Sequence, residues 1–343
     1  MRKTFQICFF IIFLLQGCGG CRHPNGFRVD LSGVGASFPQ TFFDIAISHY
    51  KQETGNKVIY NETGSGSGIR AFEDKVVDFV VIDAYFNEKK MGGEDILLIP
   101  GSLGAIVIVF NIPGIRELNL NSAVIAGIYL GKIKYWDDAH IAALNPEIKL
   151  PAIPVVPVSR SDGSGTTDVF SYYLSQTNDE WKHQMGAGKS LKPVKGIAAK
   201  GNSMLANTIK NLHGSIGYVS MEHAEALNLS AAAIQNVSGH FVKASKYSLN
   251  YLADMEFPDN MILTDTGLEN AYPLPCLSWI LVYKNQAYNR RSIEKYEDLK
   301  SFLHYVVNPK TQKFAGRLTY MPLPDNVIEK AKNLIESMEY REI

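Results

Sequence analysis

The stretch "GAIVIVFNIPG", residues 104–114, runs apolar from Ala105 to Phe110 with no polar residue between. A strand with one wet face alternates apolar and polar residues, so this run reads as a strand covered on both faces. A second run of the same kind, "CLSWILVY", lies at residues 276–283. Shorter apolar runs at 29–33, 57–60, 76–82 and 154–159 read as further strands. Between them, apolar residues such as Phe42, Phe43, Ala46, Ile47 and Tyr50 recur at helical spacing. Strands alternating with helices imply α/β architecture with mainly parallel sheets. The two long runs then serve as crossings between two lobes. Residues 29–108 together with 273–343 form a discontinuous lobe I, ending in the helix "NVIEKAKNLIESM", and residues 109–272 form lobe II. A ligand belongs in the cleft between them, near the strand ends.

Outward from this core, the chain of 343 residues is long enough for two lobes of ordinary size. A hydrophobic content of 46% with 20% charged residues describes a globular protein. Lys+Arg and Asp+Glu both total 34. No global basic field exists to attract nucleic acid or anionic lipid, so any anion site must be local.

The N-terminus, "MRKTFQICFFIIFLLQGC", joins a short basic region to an apolar run too short to span a bilayer permanently. It reads as an export signal over residues 1–17. Its end, Leu15-Gln16-Gly17-Cys18, resembles a bacterial lipobox, which makes Cys18 the lipidation site; a plain secretory signal is the alternative. Residues 18–28, rich in Gly, Pro and polar side chains, read as a lipidated tether that holds a water-exposed body at a membrane on the periplasmic side of the envelope. The cysteine spacing suits no metal site. A Cys21–Cys276 disulfide is compatible with an oxidising envelope, but nothing in the spacing calls for it.

One construction occurs three times: strand, Gly-rich turn, small hydroxyl residues, helix. It appears as "SGVGASFPQTFF" (32–43), "NETGSGSGIRAF" (61–72) and "SRSDGSGTTDVF" (159–170). A helix N-terminus exposes unpaired N–H groups and a partial positive charge. Glycine lets an anion approach them, and Ser or Thr hydroxyls add donors. Each mouth taken singly is explained by ordinary helix capping. Three in one chain, one of them carrying Arg160, point to an oxyanion site. Competing motifs fail: "MGAGKS" (185–190) has His183 where a phosphate-binding loop needs glycine, and the Gly/Ser run at 64–68 is not a serine elbow. The eight histidines show no metal-ligand spacing. Asp137 and Asp138 read as a helix cap. No metal and no cofactor are expected.

Eight blocks carry a resemblance. In order, "GVGASFPQTFF", "YKQETGNKVIY", "GSGSGIRAF", "IYLGKIKYWDDAHIAALNP", "RSDGSGTTDVF", "KGNSMLANTI", "GSIGYVS" and "YMPLPDNVI" resemble the phosphate-binding proteins of bacterial high-affinity phosphate ABC importers, from about residue 31 to 330. The resemblance implies a two-lobed type II periplasmic-binding-protein fold, each lobe a mainly parallel sheet flanked by helices. It implies inorganic phosphate as ligand and ABC permease subunits as partners. A monomer is expected, with no nucleic acid partner and no membrane contact except the lipid anchor. Carried over block by block, the site comprises Ser37 and the N–H of Phe38, then Ser65 and Asp83, then Arg160, Ser164, Gly165 and Thr166. Asp162 is expected to orient Arg160. The sequence departs from the family pattern at Ser37, where many members have Thr, and at Ile82 and Tyr85, which flank Asp83.

Proton inventory gives Asp83 a role. Phosphate at neutral pH carries at least one O–H and sulfate none, so an ionised carboxylate accepts a bond from one and repels the other. Read without the resemblance, Asp83 is a strand-end carboxylate capping a turn, and Arg160 with Asp162 is a surface salt bridge. A receptor or sensor for another tetrahedral oxyanion is the alternative function. A phosphatase using Ser65 or Ser164 would need a nearby base or metal, and no His or metal-ligand cluster is attached to either mouth.

Overall fold

The computed structural model describes residues 30–83, 95–193, 195–252 and 263–342. The expected signal, the tether with Cys18 and Cys21, and Tyr85 lie outside them. The described elements begin with β1 (Asp30–Gly35), α1 (Gln40–Thr54), β2 (Lys57–Glu62), α2 (Ser65–Glu73), β3 (Phe79–Ile82), β4 (Ile96–Phe110) and β5 (Asn119–Leu120). They continue through α3 (Ser122–Tyr129), α4 (Ala139–Leu144), β6 (Val156–Arg160), α5 (Gly165–Thr177), α6 (Asp179–Gln184), β7 (Ile197–Ala199), α7 (Gly201–Asn211) and β8 (Ser215–Ser220). Then come α8 (Met221–Ala226), β9 (Ser230–Ala231), β10 (Ala233–Gln235), β11 (Phe241–Val242) and α9 (Lys246–Asn250). The chain closes with β12 (Pro275–Tyr283), α10 (Ile293–Val306), α11 (Pro309–Arg317) and α12 (Asp325–Glu336).

One sheet runs through the molecule in the order β2-β1-β3-β12-β4-β8-β6-β7, with β9 also paired to β4; β11, β10 and β5 form a smaller sheet. The outer pairs are parallel, as helix–strand alternation implies: β1 with β2 and β3, and β6 with β7 and β8. The centre is antiparallel, because β12 runs against both β3 and β4, and β4 runs against β8. The first crossing strand is also longer than its apolar run, starting at Ile96. Pro100 and the glycines at 101 and 104 interrupt the sequence pattern without interrupting the ladder. A register shift between Ser278 and Trp279 absorbs the extra residue.

Both faces of the sheet are covered. On β3, Phe79 and Val81 join the large core with Tyr50 and Phe302, while Val80 and Ile82 pack with Phe72 of α2 on the other side. All four β3 residues are therefore buried. On β8, Gly217 lies under Leu205 and Ile209 of α7, and Tyr218 stacks on Phe170 of α5 at 4.1 Å. Helix α1 buries Phe42, Phe43, Ala46 and Tyr50 as its periodicity predicts, and ends at Gly55, whose φ of 79° suits a left-handed cap. The Asp138 side chain caps α4 by accepting the His140 N–H. Cys276 is buried and unpaired among the described residues. None of the described helices is long and apolar enough to cross a membrane.

The late C-terminal segment is tied to the first strands by a buried charge cluster. Asp78 accepts the Ser32 N–H at 2.7 Å, Arg291 Nη1 at 2.5 Å and Lys295 Nζ at 2.9 Å. Removing the carboxylate leaves Arg291 buried without its partner, a loss of about 3–5 kcal/mol. Urea denaturation of Asp78→Ala should show a destabilisation of that size; a change below about 1 kcal/mol would mean the cluster is not a staple.

Candidate functional site

Four strand-to-helix turns meet at one place, and hydrogen bonds join them in a ring. The N–H groups of Thr63 and Gly64, before α2, both donate to Gly35 O at the end of β1, at 2.9 and 2.8 Å. Gly66 N–H, in the first turn of α2, donates to Gly163 O before α5 at 2.8 Å. The third turn meets a fourth: Ser161 N–H donates to Ala199 O at 3.0 Å, and Gly201 N–H donates to Asp162 Oδ1 at 3.1 Å. Asn202, opening α7, closes the ring through Ser37 Oγ, which accepts its backbone N–H at 3.2 Å. Glycine is required where these turns touch. At Gly64 (φ 85°) a Cβ would lie 2.5 Å from Asp162 Oδ2.

Two charges sit inside the ring. Arg160 ends β6, almost wholly buried, and its Nε and Nη2 donate to the two oxygens of Asp162 at 2.8 and 2.6 Å. That fork uses one edge of the guanidinium. The remaining nitrogen, Nη1, is buried without a protein hydrogen-bond partner. Burial opposes ionisation of Asp162, but Arg160 and the Gly201 N–H outweigh it and hold the carboxyl below its ordinary range. The pair is buried, so it is more than the exposed salt bridge that local spacing allows.

Asp83 follows β3, 3% exposed. The register of β3 against β12 pairs Ile82 with Trp279, which sets Asp83 opposite Ser278. Ser278 Oγ donates to Asp83 Oδ1 at 2.9 Å. Gly165 brings the third turn against this carboxylate: a Cβ there would lie 2.7 Å from Ser65 Oγ and 2.9 Å from Asp83 N. Gly165 therefore packs closely against both Ser65 and Asp83, although the three come from separate segments.

Capping explains one serine of the three. Ser164 caps α5 by accepting the Thr167 N–H at 3.1 Å. Helix α1 starts after Pro39 and α2 after Gly64, neither with a side-chain cap, so the Ser37 and Ser65 hydroxyls are not spent on their own helices. Ser65 Oγ is buried without a protein partner. Buried polar atoms are nearly always bonded, so an orphan hydroxyl and an orphan guanidinium nitrogen mark a place for acceptors. Phe38 lies in the turn before α1, its carbonyl accepting Tyr320 Oη at 2.6 Å and its ring packed edge-on against Tyr320. Thr166 Oγ1 lies 3.5 Å from Asn202 Nδ2. The structure thus brings all eight sequence-derived site residues, and Asp162, to the strand ends around one locus.

It also adds residues that sequence reasoning left without a role. Asn202 is the third residue of the block "KGNSMLANTI", a fourth turn of the same Gly-and-small-polar kind, so a signal existed. Ser278 had none, because only the register across β3 and β12 faces it toward Asp83. Tyr218 Oη bonds Thr167 Oγ1 at 2.9 Å and accepts the Arg160 N–H at 3.3 Å, bracing both ends of the third turn.

The family model of the PBP superfamily domain matches residues 24–310. The chain is 35% identical over 310 residues to the Phosphate-binding protein PstS of Haemophilus influenzae, covering 88% of this chain and 91% of that protein. The chain belongs to the PBP superfamily, in its phosphate-binding protein family. It is 36% identical over 309 residues to Phosphate-binding protein PstS of Pasteurella multocida, covering 88% of each. Among solved structures its fold is similar to that of PfluDING, a high affinity periplasmic phosphate-binding protein bound with phosphate, with a TM-score of 0.71. That match has 17% identity and covers 89% of this chain and 93% of the other. A putative phosphate ABC transporter substrate-binding protein from Clostridium perfringens matches with a TM-score of 0.63 at 17% identity, over 86% of this chain and 100% of the other. The two-lobed periplasmic-binding-protein fold of this family is the fold described above.

Within this family member, burial pushes Asp83 up to about 7, against the opposing pulls of the Ser278 bond and Arg160. The folded protein therefore holds the Asp83 proton more tightly than the unfolded chain does. The stability this confers is fully present below the unfolded value near ~4 and is lost as pH rises to about 7, a fall of roughly 4 kcal/mol. Denaturation of exhaustively dialysed protein across that range should show the fall in wild type and its absence in Asp83→Asn. Parallel curves would contradict the assignment.

Proposed function

We propose that the protein binds inorganic phosphate in the cleft ringed by the four helix mouths and delivers it to the permease subunits of an ABC importer. One observation carries the reading: a buried arginine with one unpartnered nitrogen lies near enough to a buried carboxylate, Asp83, to favour its ionisation. A pure anion site has no use for Asp83. A site for an anion that carries its own proton does.

In this reading Arg160 supplies charge through Nη1 while Asp162 holds its other edge. Ser37, Ser65, Ser164 and Thr166 supply hydroxyls, and the backbone at Phe38 and Gly165 supplies N–H groups at helix N-termini. Asp83, with one oxygen on Ser278, receives the phosphate O–H on the other. Lobe I comprises residues 29–108 and 273–343, and lobe II residues 109–272. They close as a hinge about the strand pair β4 and β12. The relatives are named as binding proteins, and the chain is proposed to act, like them, by binding rather than by catalysis. The chain is proposed to be a monomer in the cell envelope, tethered through lipidated Cys18.

Titration calorimetry with phosphate, sulfate and arsenate tests the roles. Arg160→Ala should lower phosphate affinity by a hundredfold or more, as expected for a lost charged bond of about 3 kcal/mol. Asp83→Asn should lose preference for phosphate over sulfate while keeping anion affinity. In wild type that preference should narrow below pH ~7, because a protonated Asp83 can donate to sulfate. Selectivity unchanged in Asp83→Asn would remove Asp83 from the site, and failure to bind phosphate would remove the function.

A further inference from the structure

Asn202 is wholly buried in the first turn of α7, yet its bonds run to another part of the chain. Ser220 N–H donates to Asn202 Oδ1 at 3.3 Å. A backbone N–H can only donate, so this bond fixes which end of the amide is oxygen. The other end, Nδ2, then faces Ser37 Oγ at 3.0 Å and Thr166 Oγ1 at 3.5 Å. The backbone N–H of Asn202 reaches the same Ser37 Oγ at 3.2 Å.

A hydroxyl has one proton to give and two lone pairs to accept with. Both acceptor directions of Ser37 Oγ are taken by groups that can only donate. Its own proton must therefore point outward. We propose that Asn202 is a positioning residue that turns Ser37 into an obligate donor toward the bound anion and latches the two halves of the cleft together as it does so. The proposal rests on the phosphate reading above.

The consequence is a polarity across the site. The Ser37 side offers protons and suits unprotonated phosphate oxygens, whereas Asp83 offers lone pairs and suits the P–OH. Asn202 thus helps decide which phosphate oxygen faces which wall, without touching the ligand itself. Ser37 belongs to the turn after β1 and Asn202 to the mouth of α7, 165 residues apart, so the bond requires the two halves to meet.

A double-mutant cycle read by phosphate calorimetry tests the assignment. Asn202→Ala should weaken phosphate binding about tenfold in the wild-type background, the worth of one buried hydrogen bond. With Ser37→Ala already present, the same change should cost less than about twofold, because no hydroxyl remains to be aimed. Equal losses in both backgrounds would overturn the inference, since Asn202 would then merely support α7. A second variant covers the case in which Asn202→Ala does not fold. Asn202→Asp keeps Oδ1 for Ser220 but replaces the donor by an acceptor that captures the Ser37 proton. It should weaken binding by about a hundredfold beside Ser37 and distinctly less beside Ser37→Ala; equal losses again overturn the inference. Wild-type protein that binds no phosphate would overturn the functional reading and this inference together, whereas binding with equal losses overturns this inference alone.

Discussion

The antiparallel pairing of β4 with β12 is the constraint on which the rest of the molecule depends. Strand β4 pairs with β12 along residues 96–105, then with β8 along residues 106–110, so one strand belongs to both halves of the sheet. Its partner arrives late in the sequence, after the chain has built β5 through α9. Everything at the strand ends follows from this pair. It fixes where β3 ends, since β12 also pairs with β3, and so fixes Asp83 opposite Ser278. The register shift beside Ser278 lets an unbroken ladder pass Gly101 without displacing that serine from the site.

Around this frame the polar chemistry is shared between turns. The helix mouths of α2 and α7 donate N–H groups to neighbouring turns, whereas α5 is capped by its own Ser164. The glycines matter here as absences of a side chain: at 64 and 165 a methyl group would collide with Asp162 or Asp83. Charge is handled in the same shared way. Asp162 restrains Arg160 along one edge, and Arg160 in turn eases the ionisation of Asp83, whose burial would otherwise leave it still more reluctant to lose its proton. In the proposed reading, a site built this way binds an anion through positioned dipoles and meets its proton with the Asp83 carboxylate.

Much of the fold was legible because its signals are local. The helical spacing of Phe42, Phe43, Ala46 and Tyr50, the apolar runs of β3 and β6, and the cap at Asp138 all appear as local pattern suggests. The antiparallel centre was not legible, because helix–strand alternation describes neighbours in sequence and β12 pairs with strands far from it. The start of β4 was hidden by Pro100 and two glycines, which lower strand propensity but are tolerated where a partner ladder and a bulge hold them. At the site, glycine-rich turns with hydroxyl residues marked three helix mouths, one carrying Arg160, and the family resemblance picked out Ser37, Ser65 and Ser164 within them. Asn202 carried the same signal and was given no role. Ser278 sits in an apolar strand like any other small residue.

By itself the sequence determined that this is an α/β protein with covered strands, that its helix mouths can cradle an oxyanion, and that an arginine and carboxylates stand at the strand ends. Those are properties of residues and their immediate neighbours, set by propensity, periodicity and the chemistry of each side chain. The burial of Arg160 together with Asp162, and of Asp83 at the end of β3, was decided by tertiary structure. So were the approach of Gly165 to Asp83, the bond from Ser278, and the two donors that commit the Ser37 hydroxyl. A hydrogen bond acts over about 3 Å, and the partners here lie as much as 195 residues apart. The spacing along the chain carries no information about that distance until the strands have paired.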